Sequence, residues 1–371
     1  MYPKYVLMLL ATACACVAGS APVSAATAAA ATVSDPASRP AMMVREPAKA
    51  YLAGLALAGR RLVAVGERGV IVLSDDSGKS WRQARVPTSA SLTAVQFPSP
   101  RQGWAVGHYG VILHSEDGGE TWTRQLDGAQ AAQLALRDAQ AASGQGAAAQ
   151  RYLADAQRLV QDGPDKPFLG LHFSDEQNGI VVGAYNLAFR TRDGGRSWIP
   201  LMGQLDNPRG NHLYAVQAAG TAVYIAGEQG LVLRSTDGGA HFERADTGYK
   251  GSFFTVAVPG GDEVVVAGLR GNVYRSGDRG ASWRKLDVPA PASITAASVR
   301  PGSSLLLANQ AGQLLASSPG AQALVPLKTS ALPALNDVLV HPDGSIVVAT
   351  MFGARRLPAT AGATNDSSVA K

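Results

Sequence analysis

A sixteen-residue block recurs along the chain, and its spacing limits the possible folds more than any other feature. It reads Gly, two variable residues, Gly, four apolar-leaning residues, Ser or Thr, any residue, Asp, any residue, Gly, two more and an aromatic. Copies occupy residues 66–81, 107–122, 183–198, 227–242 and 268–283. A worn copy at 309–324 keeps Gly312 and Ser317 but lacks the Asp, and a seventh begins at Thr350 with Gly353. Successive starts lie 41, 76, 44, 41, 41 and 41 residues apart, giving seven units of about 41 residues with one insertion of roughly 35 after the second. A period near 41, built from short apolar strands and glycine turns, matches one four-stranded propeller blade per unit. The expected fold class is therefore all-β: a seven-bladed β-propeller. A count of 41 Gly and 21 Pro supports a turn-rich chain over a helical bundle.

In the second unit the strands are expected at 92–97, 104–106, 111–115 and 121–125, innermost to outermost. The insertion, 129–161, is dominated by Ala and Gln and carries Tyr152, Leu153, Ala156, Leu159 and Val160 at helical spacing. Two helices, 129–142 and 147–161, are expected to form a hairpin between blades 2 and 3, with Gly163-Pro164 stopping the second. The last unit has three recognisable strands. Residues 42–46 are expected to supply the outermost strand of blade 7, closing the ring of the 42–357 propeller and removing an open edge.

Residues 1–26 have the layout of a secretory signal peptide: Lys4, an apolar stretch over 6–17, then small residues with cleavage after Ala25 or Ala26. Both cysteines, Cys14 and Cys16, lie inside it, so the mature chain has none, which excludes disulfides, thiolate catalysis and cysteine-held metals. Acylation of Cys14 is the lesser alternative, because the usual Leu three residues earlier is Ala11. No other apolar run is long enough to span a bilayer. The expected location is the periplasm, as a monomer, with residues 27–41 and 358–371 as a disordered linker and tail. The net charge of +5 comes from scattered Lys and Arg without interleaved aromatics, which argues against a nucleic-acid partner.

The Ser/Thr-x-Asp-x-Gly-x-x-aromatic element is an Asp-box. Its members are Ser74, Asp76, Gly78 and Trp81; Ser115, Asp117, Gly119 and Trp122; Thr191, Asp193, Gly195 and Trp198; Ser235, Asp237, Gly239 and Phe242; Ser276, Asp278, Gly280 and Trp283. These residue types suit a tight turn whose N–H groups the carboxylate accepts and whose aromatic packs inward. One acidic turn per blade cannot converge on one substrate, so the role is structural and no catalytic residue, metal or cofactor is expected. Sialidases also carry Asp-boxes, and Glu67, Glu228, Tyr109 and Tyr185 are the residues a hydrolase could use. The Phe/Tyr-Arg-Ile-Pro signature of that chemistry is absent, which leaves a sialidase-like hydrolase or glycan-binding propeller as the alternative reading. The six histidines are spread over different units without metal-ligand spacing.

In an up-and-down blade, the turn between the second and third strands shares a face with the connection to the next blade. That face collects the variable pairs Glu67-Arg68, His108-Tyr109, Tyr185-Asn186, Glu228-Gln229 and Leu269-Arg270, the connectors 206–212 and 249–253, and the helical insertion. The expected partner-binding residues there are Arg68, His108, Tyr109, Tyr185, Asn186, Arg209, His212, Glu228, Tyr249, Lys250, Phe253 and Arg270.

With these repeats, residues 45–357 resemble the photosystem II stability and assembly factor family, exported seven-bladed propellers built from neuraminidase-type (BNR) repeats. The resemblance implies a non-enzymatic assembly factor that holds a membrane-protein complex or its subunit on an arginine-rich face. Arg68, Arg209, Lys250 and Arg270 are the nearest counterparts of that face here. The helical insertion, with residues 163–168 and 249–254, looks like a bacterial branch found in non-photosynthetic species, some of whose members accompany inner-membrane exporters of the resistance-nodulation-division type.

Overall fold

Short apolar strands alternate with tight glycine turns, so each unit pairs locally, first strand with second, second with third and third with fourth. The structure, a computed structural model, describes residues 35–358 except 143, 145, 301, 319 and 321. The expected signal peptide, residues 27–34 of the expected linker and residues 359–371 of the expected tail lie outside the described residues. Six antiparallel four-stranded sheets and one three-stranded sheet follow one another along the chain. The first strand of each, from Leu52–Ala58 to Leu335–Val340, lies against the first strand of the next, and the last lies against the first. The sheets thus close into a seven-bladed propeller.

No blade has a core of its own. Second strands such as Arg61–Gly66, Gly103–Gly107 and Leu305–Asn309 are buried along almost their whole length, on both faces. The apolar clusters straddle blade boundaries: Ile71 and Leu73 of blade 1 pack with Leu92, Ala105 and Leu113 of blade 2. Leu52, Leu62 and Ala64 of blade 1 pack with Val347 and Ala349 of blade 7, completing the circle.

The Asp-boxes form the turns between third and fourth strands. In blade 2 the Ser115 hydroxyl accepts the Gly119 N–H at 2.8 Å and donates to Asp117 at 2.8 Å, while Asp117 accepts the Thr121 N–H at 3.0 Å. The same pattern recurs around Asp76, Asp193, Asp237 and Asp278. The Ser282 hydroxyl and N–H hold the Asp278 carboxyl down to about 2, and the equivalent bonds from Ser80 depress Asp76 further. Groups lowered in the folded state contribute stability above pH 4 that is lost as the pH falls through their folded values.

The seam between blades 7 and 1 differs from this pattern. Residues 42–46 form no strand, and blade 7 keeps three strands, ending with Gly353–Leu357. The expected closing strand is instead a strap along blade 1. The Ala41 N–H donates to Val86 O at 3.0 Å, and the Gln83 side chain holds Met42 O and Val44 N–H at 2.9 Å each. Pro47 then opens a short 3-10 turn, Pro47–Lys49, which lies against both the outer strand of blade 1 and the third strand of blade 7. The strap extends upstream into the expected linker. Pro36 O accepts the Thr88 hydroxyl at 2.9 Å, Ala37 is buried, and Arg124 reaches Ala37 O, so residues 35–41 are ordered.

Side chains latch the seam further in. Asn336 donates to Leu52 O at 2.8 Å, His341 bonds Arg60 O at 3.0 Å, and Asp337 accepts the Leu55 and Val338 N–H groups at 2.8 Å each. Desolvation outweighs those two bonds and pushes the Asp337 carboxyl up to about 7.

Helices α1 (Gly128–Ala141) and α2 (Ala147–Asp162) form the expected hairpin. Asp127 and Gln130 make a capping box at the start of α1. Ala131, Ala135 and Ala139 press α1 into the blade 2–3 core beside Ile112, Phe168 and Trp198, and Tyr152 of α2 donates to Asp138 at 2.8 Å. The hairpin is therefore fixed to the ring.

Asp117→Ala strands the turn donors and is expected to cost about 1–3 kcal/mol in denaturant unfolding without loss of fold. Asp337 opposes the box carboxylates in sign: its raised value makes the fold bind a proton more tightly, so its contribution weakens as the pH rises from about 4 to about 7. Asp337 keeps partial exposure, so Asp337→Asn, which retains an acceptor for Leu55 but loses the one for Val338, is expected to be about 1–2 kcal/mol more favourable relative to wild type at pH 8 than at pH 4, read by melting at both.

Candidate functional site

The turns between second and third strands build the face on which the candidate residues stand. In each, the first variable residue donates its N–H to the connector entering the blade: Glu67 to Tyr51 O, His108 to Ser91 O, Glu228 to His212 O and Leu269 to Ser252 O, at 2.8–3.1 Å. A side chain at Gly66 would place its Cβ 1.8 Å from Tyr51 O, so that position must be glycine. The second variable residue adopts a left-handed conformation in five successive blades: Arg68, Tyr109, Tyr185, Gln229 and Arg270 have φ between 52° and 58°. Such conformations cost a non-glycine residue roughly 1 kcal/mol or more. Ser91 and Ser293 hydroxyls accept the N–H groups of Arg68 and Arg270 at 3.2 and 3.1 Å, so the neighbouring blade holds the strained residue in place.

Blade 3 corrects the expected register. Its variable pair is Ala184-Tyr185, and Asn186 occupies the second glycine position with φ 64°. The Asn186 side chain joins an amide network in which Asn207 donates to Asn186 at 2.9 Å and to Asn211 O at 2.8 Å. This network fixes the connector 206–212.

Around that connector lies a continuous run of rings. Lys166 lies 5.7 Å from the Tyr185 ring centre, and Tyr185 meets His212 edge-on at 4.7 Å. His212 meets Tyr214 at 6.3 Å, and Tyr214 meets Phe254 at 5.2 Å. Tyr185 is 61% exposed, the largest apolar surface on these turns. His212 Nδ1 accepts the Tyr185 N–H at 2.9 Å, which assigns the proton of the neutral ring to Nε2. Glu228 accepts the His212 N–H at 2.9 Å and the Tyr214 hydroxyl at 3.3 Å. Burial first, and then the Glu228 charge, push the Tyr214 phenol up to about 12, so it stays a donor. Both Glu228 oxygens are thereby engaged, and its hydroxyl partner is Tyr214, neither Tyr109 nor Tyr185.

Beside the rings, α2 and the connector enclose a cleft of about 630 Å³, bounded by Arg151, Tyr152, Arg158 and Leu159 on one side and by Tyr185, Met202 and Arg209 on the other. Lys166 is held at its base by Asp165 at 2.5 Å and Asp162 at 3.8 Å. Arg209 donates to Gln229 at 3.2 Å.

The remaining expected residues divide into exposed and structural ones. Arg68, His108, Lys250 and Arg270 are exposed. Tyr109 packs on the blade 1–2 core. Tyr249 turns inward: it donates to Leu269 O at 3.1 Å and packs against Phe253 and Tyr274. Phe253 is fully buried and is not part of the face. It opens the first strand of blade 5 and aligns with the buried Leu52, Leu92 and Leu213, so the two-residue strand period turns Phe254 the other way. Tyr214, Phe254 and Lys166 join the site although the motif did not mark them. Aligning first strands by their buried opening residue would have revealed the two rings. Among the described residues no cluster of His, Cys, Asp and Glu is suited to a metal ion.

Arg270 carries left-handed strain and makes no side-chain ion pair among the described residues, so Arg270→Gly is expected to raise stability by about 0.5–1 kcal/mol in thermal unfolding. A loss of stability would contradict the strain.

The family model described as "Photosynthesis system II assembly factor YCF48" matches residues 73–146 and 153–344. A curated relative, the photosystem II assembly lipoprotein Ycf48 of Synechococcus sp. (strain CC9902), is 31% identical over 94 residues, which span 25% of this chain and 28% of that protein. A solved structure of YCF48 bound to D1 peptide superposes with a TM-score of 0.59 at 15% identity, covering 84% of this chain and 94% of that one. The WD40 β-propeller domain of Doa1 superposes equally well, with a TM-score of 0.60 at 12% identity over 86% and 95%, so the superpositions speak for the propeller fold and the family model for kinship. The two segments that the model matches cover most of the ring, and the chain belongs to the YCF48 family of photosynthesis system II assembly factors.

Proposed function

We propose that this chain is an exported, non-catalytic scaffold that holds a segment of a membrane-protein complex on the face of blades 3–5, beside the helical hairpin. The observation that carries the reading is the run from Lys166 through Tyr185, His212 and Tyr214 to Phe254, set beside the α2 cleft on turns that the ring holds under strain. Aromatic rings and guanidinium groups in fixed positions are what an extended peptide needs for anchoring, since little entropy is lost on binding. The solved complex of a family member with D1 peptide supports a peptide-holding role in the same fold. The cleft is of mixed charge, with Arg151, Arg158, Lys166 and Arg209 set among Asp155, Asp162 and Asp206, which suits a polar segment carrying both signs. The two carboxylates that could act in hydrolysis, Glu67 and Glu228, accept backbone N–H and hydroxyl groups, which supports a binding role over a catalytic one. The bacterial branch that the helical insertion resembles makes an inner-membrane exporter one candidate partner in a non-photosynthetic host.

The test is affinity capture from the native host after crosslinking, with an Arg209→Glu/Lys250→Glu/Arg270→Glu variant alongside. The wild type is expected to enrich one membrane complex and the variant to lose at least about tenfold of that signal. Equal capture by both, or capture of nothing above background, contradicts the reading.

A further inference from the structure

A second group of exposed residues lies at the blade 7–1 seam, on the same edge of the ring as the aromatic run but on the blades across from it. Eleven large apolar residues are exposed among the described residues, and six of them fall on the N-terminal strap and one turn: Met42 at 78%, Met43 at 65%, Val44 at 41%, Tyr51 at 41%, Met351 at 52% and Phe352 at 58%. The C-terminal end of the strap meets the turn, because Gly353 packs so closely under Ala48 that a Cβ there would sit 1.8 Å from Ala48 O, while Met42 and Val44 lie along Gln83 of blade 1. The Thr350 hydroxyl accepts the Phe352 N–H at 3.0 Å and donates to Gly353 O at 2.8 Å, which fixes the turn with Met351 and Phe352 at its tip.

Their cost in water is not repaid within the fold. Each exposed Met or Phe forgoes on the order of 1.5–3 kcal/mol of burial. Arg45 and Arg355, exposed on the strap and on the third strand of blade 7, make no ion pair among the described residues. Lys49 pairs with Glu46 at 2.6 Å and Arg356 with Asp343 at 3.4 Å, so Arg45 and Arg355 are the cations left for a partner.

We infer that this patch rests on an anionic phospholipid bilayer. The apolar side chains project from turns and do not line a groove, which suits a deformable apolar medium. Flexible Met, one aromatic on each segment and arginines beside them form the mixture that settles at the headgroup boundary, with the guanidinium groups at the phosphates. The strap begins at Asp35, and the sequence before it includes the apolar stretch 6–17. The contact involves blades 7 and 1, and the rings of blades 3–5 stand on a different sector of the same edge.

Flotation with lipid vesicles tests the inference. The chain from residue 35 onward, the compact unit that holds the ring, avoids binding by the apolar leader. It is expected to float with vesicles of equimolar phosphatidylcholine and phosphatidylglycerol, and to float far less with phosphatidylcholine alone or at high salt. Met42→Ser/Met43→Ser/Phe352→Ser and, separately, Arg45→Glu/Arg355→Glu are each expected to weaken binding at least about tenfold with unchanged melting. Ile199→Ser/Val325→Ser, which alters exposed apolar residues on other blades, is expected to bind as the wild type does. Failure of the wild type to float with the anionic vesicles overturns the inference, as does equal binding by the triple-serine variant. Loss of protein capture by that variant with vesicle binding intact assigns the patch to a protein and also overturns it.

Discussion

Each blade is apolar on both faces and has nothing of its own to cover either. The second strand of blade 1 is buried almost end to end by residues from blades 2 and 7, and the same holds around the ring. A sheet in this position is stable only when both neighbours are present, so the seven units stand or fall together. Burial of apolar surface between sheets is the interaction that sets everything else: blade spacing, the closeness of turn to connector, and the direction in which the turns project. It also explains the seam. With three strands in blade 7, the contact with blade 1 is completed by a strap and by Asn336, Asp337 and His341, which bond to the backbone of blade 1.

The ring separates its two edges into different chemistries. At the Asp-box edge, carboxylates are spent on their own turns and held well below their usual range, so they are structural anions. At the opposite edge, the turns are pinned by the adjacent connectors, and of the left-handed residues Arg68, Tyr185 and Arg270 are exposed while Tyr109 packs on the core. Strain of this kind is tolerable because the blades on either side determine the backbone. The helical hairpin adds a wall to one sector of this edge, turning an exposed row of rings into a row with a cleft beside it.

Much of the architecture was legible in the repeat. A 41-residue period with an aspartate turn fixes blade number and strand order, and the alanine-rich helical spacing fixes the hairpin to within a residue or so at each end. What the repeat hides is anything that depends on a single register. Phe253 and Phe254 are adjacent aromatics, and only the alignment of strand openings says which one is buried. Asn186 stands where other blades have glycine, which shifts the variable pair by one. Residues 42–46 have the composition of a strand, but Gln83 and Val86 draw the segment to blade 1, and Pro47 turns it before it can pair along blade 7. The turn residues of one edge could be grouped from the repeat, while the ring-to-ring contacts joining Lys166, Tyr185, His212, Tyr214 and Phe254 required the blades to be set side by side.

The most direct measurement is photocrosslinking in the native host with a benzoylphenylalanine residue in place of Tyr185, compared with the same residue in place of Ser80 on the opposite edge. The account predicts that the probe at position 185 forms adducts with one segment of one membrane protein and that the probe at position 80 forms none with it. Adducts that are equally diverse at both positions, or that appear at position 80 alone, would contradict the claim that the aromatic face of blades 3–5 is where this propeller holds its partner.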